Sequence, residues 1–185
     1  ASDVYKRQDV DGTFGSAGGL TVATGATLTG SGNVVGAVGV ADGGRLGVTS
    51  GSTLSTGSLT LASGASLDAL LGVPSDTRVL AVNGDLTLDG TLNITDIGGF
   101  GNGVYRLIDY TGGLTDNGLA FGTIPGSVDP TQLALQTALA QQVNVVVSAP
   151  GSNVQFWDGA QTVGKEQIAG CLLYTSPSPR DQRGS

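Results

Sequence analysis

Histidine is absent from these 185 residues, and the lone cysteine, Cys171, stands near the C-terminal end. Such a chain has no disulfide framework and no imidazole or thiolate set for a metal ion. Basic residues are also scarce, with Lys and Arg totalling 8 against 15 Asp and Glu, for a formal charge of −7. An acidic balance of that size repels nucleic acid and anionic membrane surfaces, so neither is an expected partner.

The two ends differ in composition from the body. The chain opens with ASDVYKRQ and closes with CLLYTSPSPRDQRGS. The codons GAT GTG TAT AAG AGA CAG encode Asp3 to Gln8, and their reverse complement, read one base in, encodes Cys171 to Thr175. Two independent protein termini would not be opposite strands of one DNA word. That word resembles the transposon end used in tagmentation sequencing libraries, and Pro177 to Asp181 match an adjoining adapter arm. The expected organisation is therefore adapter-derived residues at 1–8 and 171–185, a folded body at 9–150 and the start of a further repeat at 151–170. Without the ends, four basic residues (Arg45, Arg78, Arg106, Lys165) face thirteen acidic ones, a formal charge of −9, and no cysteine remains.

Glycine is abundant, with 32 residues, yet the mean hydropathy of +0.15 and the regular placing of Leu and Val argue for a folded chain rather than a disordered one. The glycines fall between short apolar alternations, where tight turns need them. Four stretches share a pattern: LTVATGATL from Leu20, VGVADGGRL from Val38, LTLASGASL from Leu59 and LTLDGTL from Leu86. Each reads as a short strand with alternate apolar residues, a glycine corner, and an apolar residue resuming the inward face. Their starts lie 18, 21 and 27 residues apart, too loose for an exact repeat but within the range of solenoid periods. A three-residue strand cannot hold itself, but stacked in parallel on the next coil it gains ladder hydrogen bonds and a buried aliphatic column. At roughly 22 residues per coil the body would make about seven coils, a rod of roughly 35 Å at ~4.8 Å per strand. Its cut ends would expose unpaired strands, a liability for aggregation. The rival all-β reading is an antiparallel sandwich, with Asn83-Gly84 and Asp89-Gly90 as hairpin turns. QLALQTALAQQVNVVV (Gln132 to Val147) is ambiguous in its first half, helical turn or strand, and reads as strand in VNVVV.

GDLTLDGTLNI (Gly84 to Ile94), GVYRLIDYTGGLTDNGLAFGTIP (Gly103 to Pro125) and VNVVVSAP (Val143 to Pro150) resemble the strand repeats of autotransporter passenger domains, the type V secreted proteins of Gram-negative bacteria. VQFWDGAQT (Val154 to Thr162) looks like the opening of another repeat. The resemblance covers most of residues 18–162 and implies an all-β, right-handed parallel β-helix. It further implies display on the cell surface by a C-terminal membrane barrel outside this segment, which itself is not expected to be membrane-embedded. Host or neighbouring-cell glycans and proteins are the implied partners. The family shares no active site, so no catalytic, metal or cofactor residue carries over, and no cofactor is expected.

Several motifs suggest chemistry but carry little. GAQTVGKE (Gly159 to Glu166) nearly matches a phosphate-binding loop, but Glu166 replaces the hydroxyl that should meet Mg²⁺ and would repel phosphate. GGFGNGV (Gly98 to Val104) resembles a calcium-binding nonapeptide, but Gly103 occupies the place of the ligating Asp, so a turn is expected. Asp85 and Asp89 would lie about 13 Å apart along a strand, too far for a glycosidase pair at ~5–9.5 Å unless Asp68 or Asp109 from an adjacent coil completes it. Asn93-Ile94-Thr95 fits a glycosylation sequon, without automatic meaning in a bacterial protein. Phe100, Tyr105, Tyr110 and Phe121 are expected to fill a widened coil or cap rather than form a sugar platform. The expected function is a non-catalytic stalk or adhesive surface. The alternatives are a polysaccharide-cleaving β-helix, needing several Asp, or Asp with Arg, converging in a groove, and a passive surface-layer protein.

Overall fold

A computed structural model describes residues 7–15 and 18–151. The adapter-like tail, the GAQTVGKE motif and the repeat expected from Val154 lie outside the described residues.

Three sheets run the length of the body, and every pairing between one coil and the next is parallel. The first stacks β1 (Arg7–Asp9), β4 (Thr27–Thr29), β7 (Arg45–Thr49), β10 (Ser66–Leu71), β13 (Thr91–Asp96) and β16 (Ala120–Phe121). The second stacks β2 (Thr13–Phe14), β5 (Asn33–Val34), β8 (Leu54–Thr56), β11 (Leu80–Val82) and β14 (Gly103–Tyr110), then β18 (Gln142–Val147) and β17 (Leu133–Gln136). The third stacks β3 (Leu20–Val22), β6 (Val38–Val40), β9 (Leu59–Leu61), β12 (Leu86–Leu88) and β15 (Leu114–Asp116). One strand from each sheet in turn makes one coil, so the chain is a β-solenoid. Among the described residues the only helical turn is a 3-10 turn at Pro130–Gln132, capped by Asp129.

Coil length follows from the stacking of Arg7, Thr27, Arg45, Ser66, Thr91 and Ala120 over one another. Successive coils take 20, 18, 21, 25 and 29 residues. Five coils and the first strand of a sixth result, fewer than the seven expected. The later coils are wider than 22 residues, and the chain then leaves the winding. Strand β18 joins β14 antiparallel, and β17 joins β18 in the same sense. The ambiguous Leu133–Gln136 is therefore strand.

The interior is built from columns of aliphatic side chains. Leu28, Leu46, Leu67 and Leu92 stack in register in the first sheet, none more than 1% exposed. Leu54, Leu80 and Ile108 do the same in the second. Outward-facing threonines form a complementary ladder, Thr60 beside Thr87 beside Thr115, where β-branched side chains suit a pleated surface. The corners are equally repetitive. Gly25 N–H donates to Gly43 O and Gly43 N–H to Gly64 O, at 2.9 and 2.8 Å. Asp42 accepts from Gly64 N–H one coil on, and Asp85 from Gly113 N–H, at 2.7 and 2.8 Å.

The antiparallel sandwich is ruled out for the body. Gly84 lies between β11 and β12, and Asp89-Gly90 between β12 and β13. Both are corners that pass the chain from one parallel sheet to the next. Gly90 has φ +80°, which serves a hairpin and a corner alike, so Asp89-Gly90 could not tell them apart. Gly84 is not among the positive-φ glycines, so Asn83-Gly84 does not adopt the turn a two-residue hairpin would need.

Candidate ligand-binding site

The outer face of the second sheet carries the most concentrated polar chemistry, and a single irregularity creates it. In a regular strand, residues three apart point to opposite faces. Strand β14 breaks that rule. Arg106 pairs with Asn144 of β18 and Ile108 with Val143, so Leu107 is an extra residue without a partner there. Leu107 and Ile108 are both fully buried. This β-bulge resets the alternation and turns Arg106 and Asp109 to the same side. Arg106 Nε then donates to Asp109 Oδ1 at 2.6 Å.

Arg78 comes from the segment entering β11. Backbone bonds from Arg106 N–H to Ser75 O and from Val79 N–H to Leu107 O lay that segment alongside β14. Arg78 Nη1 thereby reaches Asp109 Oδ2 at 3.3 Å. Two guanidiniums share one carboxylate. The turn between β17 and β18 completes the wall. Gln141 there has φ 65°, a left-handed conformation uncommon outside glycine. It is held by the bond from Tyr110 N–H to Gln141 O at 3.1 Å. Together these elements enclose a groove of about 260 Å³, with Arg78, Asn83, Arg106, Asp109, Thr111 and Gln141 on its walls. The sequence put these basic residues far apart, and the fold brings Arg78 and Arg106 to one carboxylate. The available signal was the doubled apolar pair in YRLIDY, which interrupts alternation and marks a bulge.

The carboxylates weighed as a glycosidase pair each have partners of their own. Asp68 sits on β10 and is held by Arg45 Nη1 at 3.0 Å and Asn93 Nδ2 at 2.7 Å. Asp109 belongs to the arginine groove on another sheet. Asp85 and Asp89 lie at the two ends of β12, and each binds a backbone N–H, Asp85 that of Gly113 and Asp89 that of Gly90. Asn93 of the sequon also accepts from Thr123 N–H at 2.9 Å, a bond that ties β13 to the next coil. The GGFGNGV stretch is a turn only from Gly98 to Asn102, fastened by Asp96 Oδ1, which accepts from Gly98 and Phe100 N–H; Gly103 and Val104 already open β14.

The aromatic residues face inward. Phe100, Tyr105 and Tyr110 are buried, and Phe121 packs against the core. Phe100 and Tyr105 stack at 4.7 Å between ring centroids. Tyr105 Oη donates to Gly101 O and accepts from Gly101 N–H. Burial, above all, raises the Tyr105 pKa above its usual 10.0; the Gly101 bond lowers it, and the Asp96 charge adds to the rise. An acid whose folded pKa is raised stabilises the fold fully below its unfolded pKa and loses that contribution as pH climbs through the folded value. Denaturation midpoints followed upward from pH 9 should therefore fall more in the parent than in Tyr105→Phe. Parallel curves would refute this linkage.

No protein-family model matches the chain, and no solved structure matches it. Over 110 residues, 56% of the chain, its sequence is 46% identical to the adhesin BmaC autotransporter of Brucella suis biovar 1 (strain 1330). The stretch is 3% of that relative's length, so the chain corresponds to a small part of it. A parallel β-solenoid of this sequence fits a fragment of an autotransporter passenger.

Proposed function

We propose that the body of this chain is a surface-displayed, adhesive and non-catalytic β-solenoid segment of a bacterial autotransporter passenger, exported through the outer membrane of a Gram-negative cell. Its partners would be glycans or proteins on host or neighbouring cells. The observation that carries the reading is the 46% identity to a stretch of a protein named as an autotransporter adhesin. The fold supports it, because a solenoid turns most of its side chains either into the core or onto long outer faces suited to extended contact. Asp109 with Arg78 and Arg106 is the Asp-with-Arg grouping the polysaccharide-cleaving alternative calls for, but both oxygens of that carboxylate are engaged by the guanidiniums. Hydrolysis of glycosides by the usual route instead needs two carboxyl groups at close range, one of them free to give or take a proton. Residues 1–8 and 171–185 are, in the same proposal, adapter-derived and outside the protein's function, although β1 includes Arg7 and Gln8.

The test uses beads coated with the 185-residue chain and applied to cultured epithelial cells. Adhesive function predicts retention well above that of beads carrying an unrelated acidic protein. Equal retention would favour a passive surface role and defeat the adhesive one. Release of reducing sugar from a panel of pectins and host glycans would overturn the non-catalytic part.

A further inference from the structure

We infer that the groove at Arg78 and Arg106 binds a carboxylate-bearing sugar, with its carboxylate on the two guanidiniums and its hydroxyls against Asn83, Thr111 and Gln141. The inference deepens the adhesive reading and rests on it for biological meaning, but not for its chemistry.

Charge is the first argument. The body is strongly acidic, yet at this groove two guanidiniums face one carboxylate. The local balance is one positive charge, concentrated on a wall of an otherwise anionic molecule. Donor capacity is the second. A guanidinium carries five N–H donors in a planar fork. Arg106 spends its Nε and Arg78 its Nη1 on Asp109, and neither makes another side-chain hydrogen bond among the described residues. The remaining donors suit the two oxygens of a carboxylate, which guanidinium binds in bidentate fashion.

The rest of the wall selects the body that carries the charge. Asn83 lines the groove and gives an amide N–H to Thr56 O at 3.1 Å, so its carbonyl oxygen is still available as an acceptor. Thr111 and Gln141 add a hydroxyl and an amide. Such neutral donors and acceptors match sugar hydroxyls. At about 260 Å³ the space lies just below the ~300–1,000 Å³ of drug-sized ligand pockets, so one ring rather than an oligosaccharide is accommodated. The left-handed Gln141 supports the same conclusion. A non-glycine residue held in that conformation costs stability and tends to occur at ligand clamps. Here the strained turn forms one side of the groove.

The experiment is an NMR titration of the 185-residue chain with sodium glucuronate. Glucose, the glucuronate methyl ester, sodium acetate and sodium sulfate serve as comparison ligands. Saturable shifts with glucuronate, and none with glucose or the ester, are expected. Arg78→Gln and Arg106→Gln should each weaken glucuronate binding about tenfold or more, the loss of a charge-assisted contact. Asp109→Asn should tighten it, because the internal competitor for both guanidiniums is neutralised; a merely structural Asp109 would give weaker binding instead. The ester comparison needs no variant and stands even if a substitution prevents folding. Binding of glucose as strong as glucuronate, or arginine variants that bind as the parent does, would overturn the inference. Acetate or sulfate binding as tightly as glucuronate would reduce the groove to a simple anion site and overturn the sugar assignment. Bead retention on cells separates this result from the adhesive reading. Retention that survives in the arginine variants while glucuronate binding is lost sinks only the groove's role in adhesion, whereas a parent chain that fails to adhere sinks adhesion itself.

Discussion

Leu67→Ala should remove about 2–5 kcal/mol of stability, the range for truncating a fully buried leucine. Leu67 is 0% exposed and stands in the middle of its column, with Leu46 in the coil before and Leu92 in the coil after. In a solenoid each coil touches only its neighbours, so a cavity here weakens both adjoining interfaces at once. Urea denaturation followed by circular dichroism measures the loss. The control is Leu70→Ala, three residues along the same strand and on its outward side, beside Thr49 and Thr95. A partly exposed position should cost well under the core value. Equal losses at the two sites would mean that β10 does not present alternate residues to a dry interior.

Gly90→Ala is the second large effect, and it acts through the backbone. Gly90 has φ +80°, and a Cβ there would lie 2.4 Å from Ala65 O and 2.8 Å from Ala62 O in the coil beneath. Ala65 O is already the acceptor for Thr91 N–H at 3.0 Å, one rung of the ladder between coils. The substitution therefore adds a left-handed alanine, at about 1–2 kcal/mol, and displaces an inter-coil bond. A total of about 3 kcal/mol or more is expected. The contact is tight because the corner is short. LDGTL passes from Leu88 to Leu92 where the preceding coil uses LASGASL from Leu61 to Leu67. Gly51→Ala separates the two causes. Gly51 has φ +85° with nothing within 4 Å of the added carbon, so it should show the conformational cost alone. If both substitutions cost the same in thermal or urea melts, the close approach of Gly90 to the coil beneath is wrong.

Two of the three sides of the solenoid were legible before any coordinates. The motif beginning at Leu20, Val38, Leu59 and Leu86 is a strand of the third sheet, a glycine corner and a strand of the first. Those four residues stack in register, as do Leu28, Leu46, Leu67 and Leu92 beyond the corner. The second sheet was harder to read. Its early strands are two or three residues long, and of its two inward columns the one that spans all five coils runs Phe14, Val34, Thr56, Val82, Tyr110. No constant residue type marks that series, and a buried threonine interrupts the apolar signal. The reversal of β18 was also hidden, because VNVVV is equally good strand in either direction.

The sequence by itself determined the all-β class, the inward faces of the repeated strands and the places where glycine turns the chain between them. These depend on alternation and on glycine's backbone freedom, both of which act over a few neighbouring residues. Only the tertiary structure decided the number of coils, the antiparallel ending of the second sheet and the arginine groove. Arg78 and Asp109 are 31 residues apart, and their meeting depends on coil length and on one unpaired residue, Leu107, that shifts the register. Alternation fixes which way a side chain points within its own strand; which charges then share a wall is set by how one coil lies on the next.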